Sequence, residues 1–490
     1  MRKIALSLFF CVCLAAVGQS PTQQTSHSSN VPESWKQVPI PALQAFHPQE
    51  PRRVELSNGM VLFLQEDHEL PLINGSIRIR GGSRDQPANK TGLISIYSEV
   101  WRTGGTKTKT GDQLDDFLEM KAARVETGGN ADSTTLGWSS LKEDFDQVLP
   151  VILDLLENPE FRQDKIELAK EELGSLISRR NDDVDEIARR ESIKLAYGPD
   201  SPYSRVAEYA TVDAITREDL INWHKRTVAP NNMILGVVGD FDSAAMERKL
   251  RDAFSHLPKG ERFATAPIQF REPTPGIYFV QKEDVNQSEI EMVYLGIQRS
   301  NPDYYALEVM NELFGGGFSS RLFSRIRSAQ GLAYSVGGGV GAAFDHPGIA
   351  RFAMGTKSGT TAAGVEALKK EMTDLITGGV RPEEVQRAKD SILNSFIFAF
   401  DSRAKVMAER MAYEFYGYPA DFLERFRAGI EKVTVEDVDR VARKYIHPEK
   451  LATLVVGNSK DFDRDLATFG KVKNVDITIP PRKASGAAEK

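Results

Sequence analysis

The stretch Thr216-Arg217-Glu218-Asp219-Leu220, running through Pro230 to Leu235-Gly236-Val237-Val238-Gly239, has a counterpart further along the chain. There Thr434-Val435-Glu436-Asp437-Val438 runs through Pro448 to Leu454-Val455-Val456-Gly457. Thr216 matches Thr434, Asp219 matches Asp437, Pro230 matches Pro448 and Gly239 matches Gly457. Each pair is 218 positions apart, with no gap. In each copy a threonine followed by acidic residues has the chemistry of a helix N-cap and first turn. Proline ends the connection, and an apolar run closing on glycine reads as a buried strand. Chance likeness of helix, turn and strand does not hold four punctuating residues in ungapped register, so the pattern reads as an internal duplication.

Outward from that repeat, the 490-residue chain divides into two similar α+β units. The first is expected over 51–260 and the second over 276–476, joined by a linker over 261–275 that is rich in Pro and Gly. In the first unit, Val54 to Gln65 reads as a hairpin turning at Ser57-Asn58-Gly59, and Ile73 to Ile79 as a third strand. Amphipathic helices are expected over 91–102, 112–121 and 141–157, and a long charged helix over 163–182.

The ends differ in kind. Arg2 and Lys3 precede a nearly continuous apolar run that closes on Ala16-Val17-Gly18, the pattern of a secretory signal peptide over 1–18. The run is shorter than the roughly 20 residues of a membrane span, and no later run matches it. An uncleaved anchor is the competing reading. Residues 19–50 read as a loosely held arm and 477–490 as a disordered tail. Both cysteines, Cys11 and Cys13, fall inside the signal. The mature chain therefore has no disulfide, thiolate ligand or cysteine nucleophile, although export to the periplasm or the cell exterior would permit disulfides. A net charge of −7 gives no electrostatic case for nucleic acid or an anionic membrane.

Several stretches resemble the M16 (insulinase/pitrilysin/mitochondrial processing peptidase-like) family. They are Gly92-Leu93-Ile94-Ser95-Ile96-Tyr97-Ser98-Glu99 with Gly104-Gly105-Thr106, and Leu195 to Tyr203 with Val238-Gly239-Asp240-Phe241. The third is Gly315-Gly316-Gly317-Phe318-Ser319-Ser320-Arg321-Leu322-Phe323, continuing to Arg327 and Gly331-Leu332-Ala333-Tyr334-Ser335-Val336. The resemblance keeps the family's order over almost the whole mature chain. It implies two homologous α+β domains of the LuxS/MPP-like metallohydrolase type, each a mostly antiparallel sheet packed with helices.

Active members carry H-x-x-E-H on a helix of the first domain. Two histidines four residues apart share one helical face and bind one Zn²⁺, and the glutamate activates the metal-bound water. Here the matching positions are Ser95, Ser98 and Glu99. The seven histidines, at 27, 47, 68, 224, 256, 346 and 447, contain no i,i+4 pair, and none lies between 69 and 223. Glu171 and Glu172 lie near the expected last ligand. Without histidines they read as solvated charges on a helix face, and Glu99 as a polar helix position. This chain is thus expected to bind no metal, the zinc belonging to another subunit.

In the family the second domain faces the zinc with an arginine and a tyrosine seven residues later. The match is Arg327 and Tyr334. A tyrosine hydroxyl suits a developing oxyanion, and an arginine suits a peptide carbonyl or carboxylate. The competing readings are a basic helix face of Arg321, Arg325 and Arg327, and an ordinary half-buried strand tyrosine. A helix from Ser320 should end near Gly331, with a strand from Ala333 to Val340. Glycines weaken a strand unless another backbone approaches closely, so Gly337, Gly338 and Gly339 point to a bound peptide. Gly315-Gly316-Gly317 lacks the Lys-Ser/Thr of a phosphate loop and reads as a turn.

The resemblance therefore implies a non-catalytic, secreted or periplasmic subunit of a two-subunit M16 metallopeptidase. Its partner would be a homologous subunit with an intact H-x-x-E-H, and its substrates unfolded peptides. Two alternatives stand beside it: a non-enzymatic peptide-binding or scaffold protein, and an independent peptidase with a rebuilt metal site.

Overall fold

The computed structural model describes residues 48–482. The expected signal peptide, the arm up to residue 47 and the tail from 483 lie outside the described residues.

The strands of the first half are β1 (Arg52–Glu55), β2 (Val61–Glu66), β3 (Leu72–Arg80), β4 (Arg124–Gly129), β5 (Ser133–Leu141) and β6 (Met233–Gly239). They form one sheet in the order β1-β2-β6-β3-β5-β4. Only the β2–β6 pairing is parallel. The second half supplies β7 (Gly276–Gln281), β8 (Gln287–Leu295), β9 (Ile297–Gln298), β10 (Ser335–Ala343), β11 (Pro347–Lys357), β12 (Ala452–Gly457) and β13 (Val472–Asn474). Their order is β13-β7-β12-β8-β11-β10-β9. This sheet is mixed, because β13–β7, β7–β12 and β10–β9 are parallel. The expectation of a mostly antiparallel sheet holds for the first half and gives way to a mixed one in the second, where short strands are added at both edges.

The duplication is visible in both sheets. The run β2-β6-β3-β5-β4 has the same order as β7-β12-β8-β11-β10. The quoted repeat forms the same unit twice. Thr216 caps the Arg217–Thr227 helix by accepting from the Asp219 N–H, while Asp219 accepts from the Thr216 N–H. Thr434 and Asp437 do the same for the Val435–Tyr445 helix. Such reciprocal boxes satisfy two otherwise unpaired helix-start donors. Pro230 and Pro448 each open a short 3-10 turn, and β6 and β12 follow, buried along their whole length.

One face of the first sheet carries the larger core. Ile73, Ile77 and Ile79 of β3 meet Tyr97 and Trp101 of the Leu93–Thr103 helix and Phe145 and Ile152 of the Phe145–Glu157 helix. The other face is covered from the second half. Met407, Met411 and Phe415 of the Arg403–Tyr416 helix pack on Val61, Phe63, Ile234 and Val238. Gly236 is open for them, since a Cβ there would lie 2.4 Å from the Met411 sulfur. The exchange is returned: Ile187 and Ala188 of the Val184–Tyr197 helix pack on Val280, Leu454 and Val456 of the second sheet. Both exchanged helices have 14 residues.

The connection between the halves has no regular structure but is held. The Phe263 N–H donates to Asn232 Oδ1 at 2.8 Å, and Phe270 stacks on His346. Residues 477–482 correct the expected disordered tail. The Ile477 carbonyl accepts from Asn181, Ile477 and Ile479 pack against the cores, and Arg482 pairs with Asp213. Two apolar residues and one ion pair outweigh the local Pro and Lys content. The arm is also tied at its end, where Glu50 accepts from Arg410 Nε at 2.7 Å. No helix among the described residues is long and apolar enough to cross a membrane.

Candidate functional site

The Leu93–Thr103 helix begins after Gly92, whose φ of 109° only glycine adopts freely, and Gln86 Oε1 accepts from the Ile94 N–H. Its apolar residues face the core. Ser95 and Glu99, one turn apart, are exposed on the opposite side. Ser98 is buried against β4: a Cβ on Gly129 would sit 2.5 Å from its hydroxyl oxygen, which has no hydrogen-bond partner among the described residues. Glu171 and Glu172 are exposed on the Gln163–Arg179 helix, which packs against this one.

The donors at these positions are two hydroxyls and exposed carboxylates. A neutral serine hydroxyl is a poor zinc ligand, and Ser98 faces glycine rather than open space, so the residues present do not fit the zinc that H-x-x-E-H would hold. One histidine does touch this helix, from the core side. His224 Nε2 lies 2.8 Å from the Leu156 carbonyl, which can only accept, so the proton is on Nε2. Nδ1 then accepts from the Tyr97 hydroxyl at 2.9 Å. Burial pushes its pKa down to about 4. Both nitrogens are engaged and the ring is a core residue.

In the second half, the Phe323–Ala329 segment makes wide, π-type turns and ends before Gly331, whose φ is +66°. Gly331 and Leu332 donate back to the Arg327 and Ile326 carbonyls. This reversal brings Tyr334 to the head of β10, where its N–H donates to the Gly355 carbonyl at 2.8 Å. The ring is 50% exposed. The sequence expectation of a helix stopping near Gly331 and a strand after it is met within two residues.

The three arginines separate. Arg321 is buried and donates through Nε and Nη2 to Glu384, at 3.0 and 2.7 Å. That pair and the Arg381 contacts hold Glu384 down to about 2. Arg325 pairs with Glu371 at 2.9 Å. Arg327 has no carboxylate partner among the described residues; it is exposed, with its guanidinium 4.6 Å from the Phe323 ring centre. Phe318 stands beside Phe323, ring centres 4.9 Å apart, and is 82% exposed. Arg327, Tyr334, Phe318 and Phe323 thus carry polar and aromatic groups free to meet a ligand.

Gly337, Gly338 and Gly339 line a groove of about 550 Å³ with Asn311, Gly315 and Arg351. The close backbone approach they permit is made by the chain itself. A Cβ at Gly337 would lie 2.9 Å from the Gly315 carbonyl oxygen, and one at Gly339 would strike the Asn311 side chain. Asn311 bonds both the N–H and the carbonyl of Val340, as a neighbouring strand would.

Sequence reading missed Glu289. It lies on β8 in the row Ser335–Gly355–Glu289 across three strands, and Gly355 has no side chain to separate the other two. Burial, then Asp185, pushes it up to about 8. Only the strand register reveals this row. No hydrogen bond or ion pair among the described residues joins Ser95, Ser98, Glu99, Glu171 or Glu172 to Arg327 or Tyr334.

Residues 62–196 match the family model described as Insulinase (Peptidase family M16), and 214–392 the model described as Peptidase M16 inactive domain. A Helicobacter pylori protein named "Non-peptidase homolog YmxG" is 24% identical over 405 residues, spanning 81% of this chain and 91% of its own length. An "Uncharacterized zinc protease" of Rickettsia felis is 23% identical, over 80% of this chain and 93% of its own. A crystal structure of a peptidase M16 inactive domain from Pseudomonas fluorescens superposes with a TM-score of 0.76 at 23% identity, covering 84% of this chain and 98% of that one.

Proposed function

The chain belongs to peptidase family M16, and from that premise we propose that it is the non-catalytic subunit of an exported, two-subunit M16 metallopeptidase. The observation that carries the proposal is the separation of the three arginines. Arg321 and Arg325 each pair with a buried carboxylate, while Arg327 has no carboxylate partner among the described residues and is exposed, as is Tyr334 seven residues on. Unpaired functional groups of this kind cost folding little and are available to a ligand. A relative named a non-peptidase homolog and the unsuitable donors at Ser95, Ser98 and Glu99 support a chain that does not hold its own metal.

In this reading the metal chemistry belongs to a homologous partner with an intact H-x-x-E-H. Arg327 binds a carbonyl or carboxylate of an unfolded peptide through its fixed fork of donors. The Tyr334 hydroxyl donates a hydrogen bond to the oxyanion that develops at the scissile carbonyl. The groove along Gly337, Gly338 and Gly339 receives part of the peptide. Export to the periplasm or the cell exterior follows from the basic and apolar N-terminus.

The test is co-expression with each H-x-x-E-H homologue found in the same genome, followed by co-purification and peptide cleavage. The pair should cleave and each subunit alone should not. Arg327→Ala and Tyr334→Phe should each lower kcat/KM by about 10²-fold, within the range of a lost oxyanion donor. Full activity in both variants would remove the role assigned to them. The relative's name also supports a second reading, a peptide-holding protein without cleavage. Failure to find an active pair together with retained peptide binding would favour it.

A further inference from the structure

On the sheet face opposite the main core, β3 turns two arginines toward the Arg403–Tyr416 helix. Arg78 and Arg80 share the ring of Phe415, their guanidinium carbons 3.9 and 4.5 Å from its centre. Arg78 is also hydrogen-bonded to Ser133 and Tyr416. The Arg80 guanidinium has neither a hydrogen bond nor an ion pair to another described residue, although the residue is half-buried. The carboxylates around it are already engaged. Glu414 receives two bonds from Arg53, each 2.9 Å, and Asp132 is held by Arg84 and the Tyr416 hydroxyl.

Beside Arg80 is a cavity of about 170 Å³, several times the ~30 Å³ share of one water molecule. Its lining includes Arg84, Asp132 and, from the segment joining the halves, Arg262 and Thr265. Arg262 is exposed and has no acidic partner among the described residues. The Arg84 side chain is only 9% exposed; its Nη1 pairs with Asp132 and Asp345, while its buried Nε, 3.8 Å from Asp85 Oδ2, makes no hydrogen bond among the described residues. An isolated buried cation is costly unless paired, and here burial and the neighbouring Arg262 and Arg78 drive the Arg80 pKa below its ordinary value.

We propose that the cavity between Arg80, Arg84 and Arg262 is a binding site for a small, multiply charged oxyanion of the phosphate class. Such an anion offers acceptors to several guanidinium forks at once, the chemistry for which arginine is suited. Arg80 belongs to the first sheet, its aromatic platform to a helix of the second half, and Arg262 to the segment between them. The bound anion therefore clamps three parts of the fold together.

The experiment is thermal unfolding of the full chain during titration with inorganic phosphate, against sodium chloride at matched ionic strength. The wild type should show a saturable rise in Tm with phosphate that chloride does not produce. Arg80→Met, which keeps the stem on Phe415, should lose the rise. Arg262→Gln, an exposed change that leaves the core intact, should weaken apparent phosphate affinity several-fold even if Arg80→Met does not fold. Arg464→Gln, whose partner Glu366 is elsewhere, should respond as wild type. Absence of a phosphate-specific rise in the wild type, or an unchanged response in Arg262→Gln, would overturn the proposal.

Discussion

The hydroxyl of Tyr97 donates to Nδ1 of His224 across 2.9 Å of core, directly behind the helix face where the family's active members hold zinc. His224 is neutral in the fold, with its pKa down at about 4, and titrates near 6.5 once unfolded. Below pH 6.5 the unfolded chain takes up a proton that the folded chain refuses. Stability should therefore be complete above that pH and fall as pH drops from 6.5 toward 4, by at most about 3 kcal/mol. Urea unfolding between pH 4 and 7 should show His224→Asn with a flatter acid limb than wild type, whatever its stability at pH 7.

Glu289 has the opposite sign. Its folded pKa of about 8 lies above the ordinary 4.5, so the folded chain holds a proton that the unfolded chain releases. The cost is absent below pH 4.5, grows with pH and is fully present above 8. Glu289→Gln should gain at most about 5 kcal/mol over wild type at pH 8.5, less whatever solvent screens, and nearly nothing at pH 4.5. Equal gains at both pH values would mean that the carboxyl is not held protonated.

The three arginines of one segment should divide in stability measurements. Arg321→Met leaves the buried Glu384 charged with only its Arg381 contacts, and should cost about 3 kcal/mol. Arg327→Ala removes no pair and should change stability by no more than about 0.5 kcal/mol. A large loss of stability in Arg327→Ala would mark it as a structural residue and weaken its assignment to peptide binding.

Ser95 and Glu99 share the exposed side of one helix, one turn apart, beside the helix carrying Glu171 and Glu172. Histidines at both positions would restore the i,i+4 geometry without disturbing the core. Dialysed against zinc and analysed for metal, the Ser95→His/Glu99→His double variant should carry about one zinc per chain. Wild type should stay near background. No uptake in the double variant would show that the helix face has moved as well as its residues.

What was legible in the sequence follows from where the information resides. The capping boxes at Thr216 and Thr434 are local, so four residues sufficed to locate two domains of one design. The want of an i,i+4 histidine pair was legible because it can be counted along the sequence. Strands β4 and β5 were missed: their Thr, Gly and Ser content hides an alternation in which only Val125, Leu136 and Trp138 supply large inward residues. Arg321 and Arg327 looked alike because their difference lies in Glu384, 63 residues from Arg321. The glycines at 337–339 did signal a close backbone, but the neighbour is Gly315 of the same chain.

The crossed helices govern the order in which this protein can be made. The first sheet cannot cover Val61, Phe63, Ile234 and Val238 until the helix ending at Tyr416 has left the ribosome. For most of synthesis that face is bare, and a truncated first half would carry it bare permanently. The same geometry bears on ancestry. A one-domain forerunner with this helix would have had to lend it to a second copy of itself. Joining two such copies in one gene converts a concentration-dependent association into an intramolecular one, which dilution cannot undo.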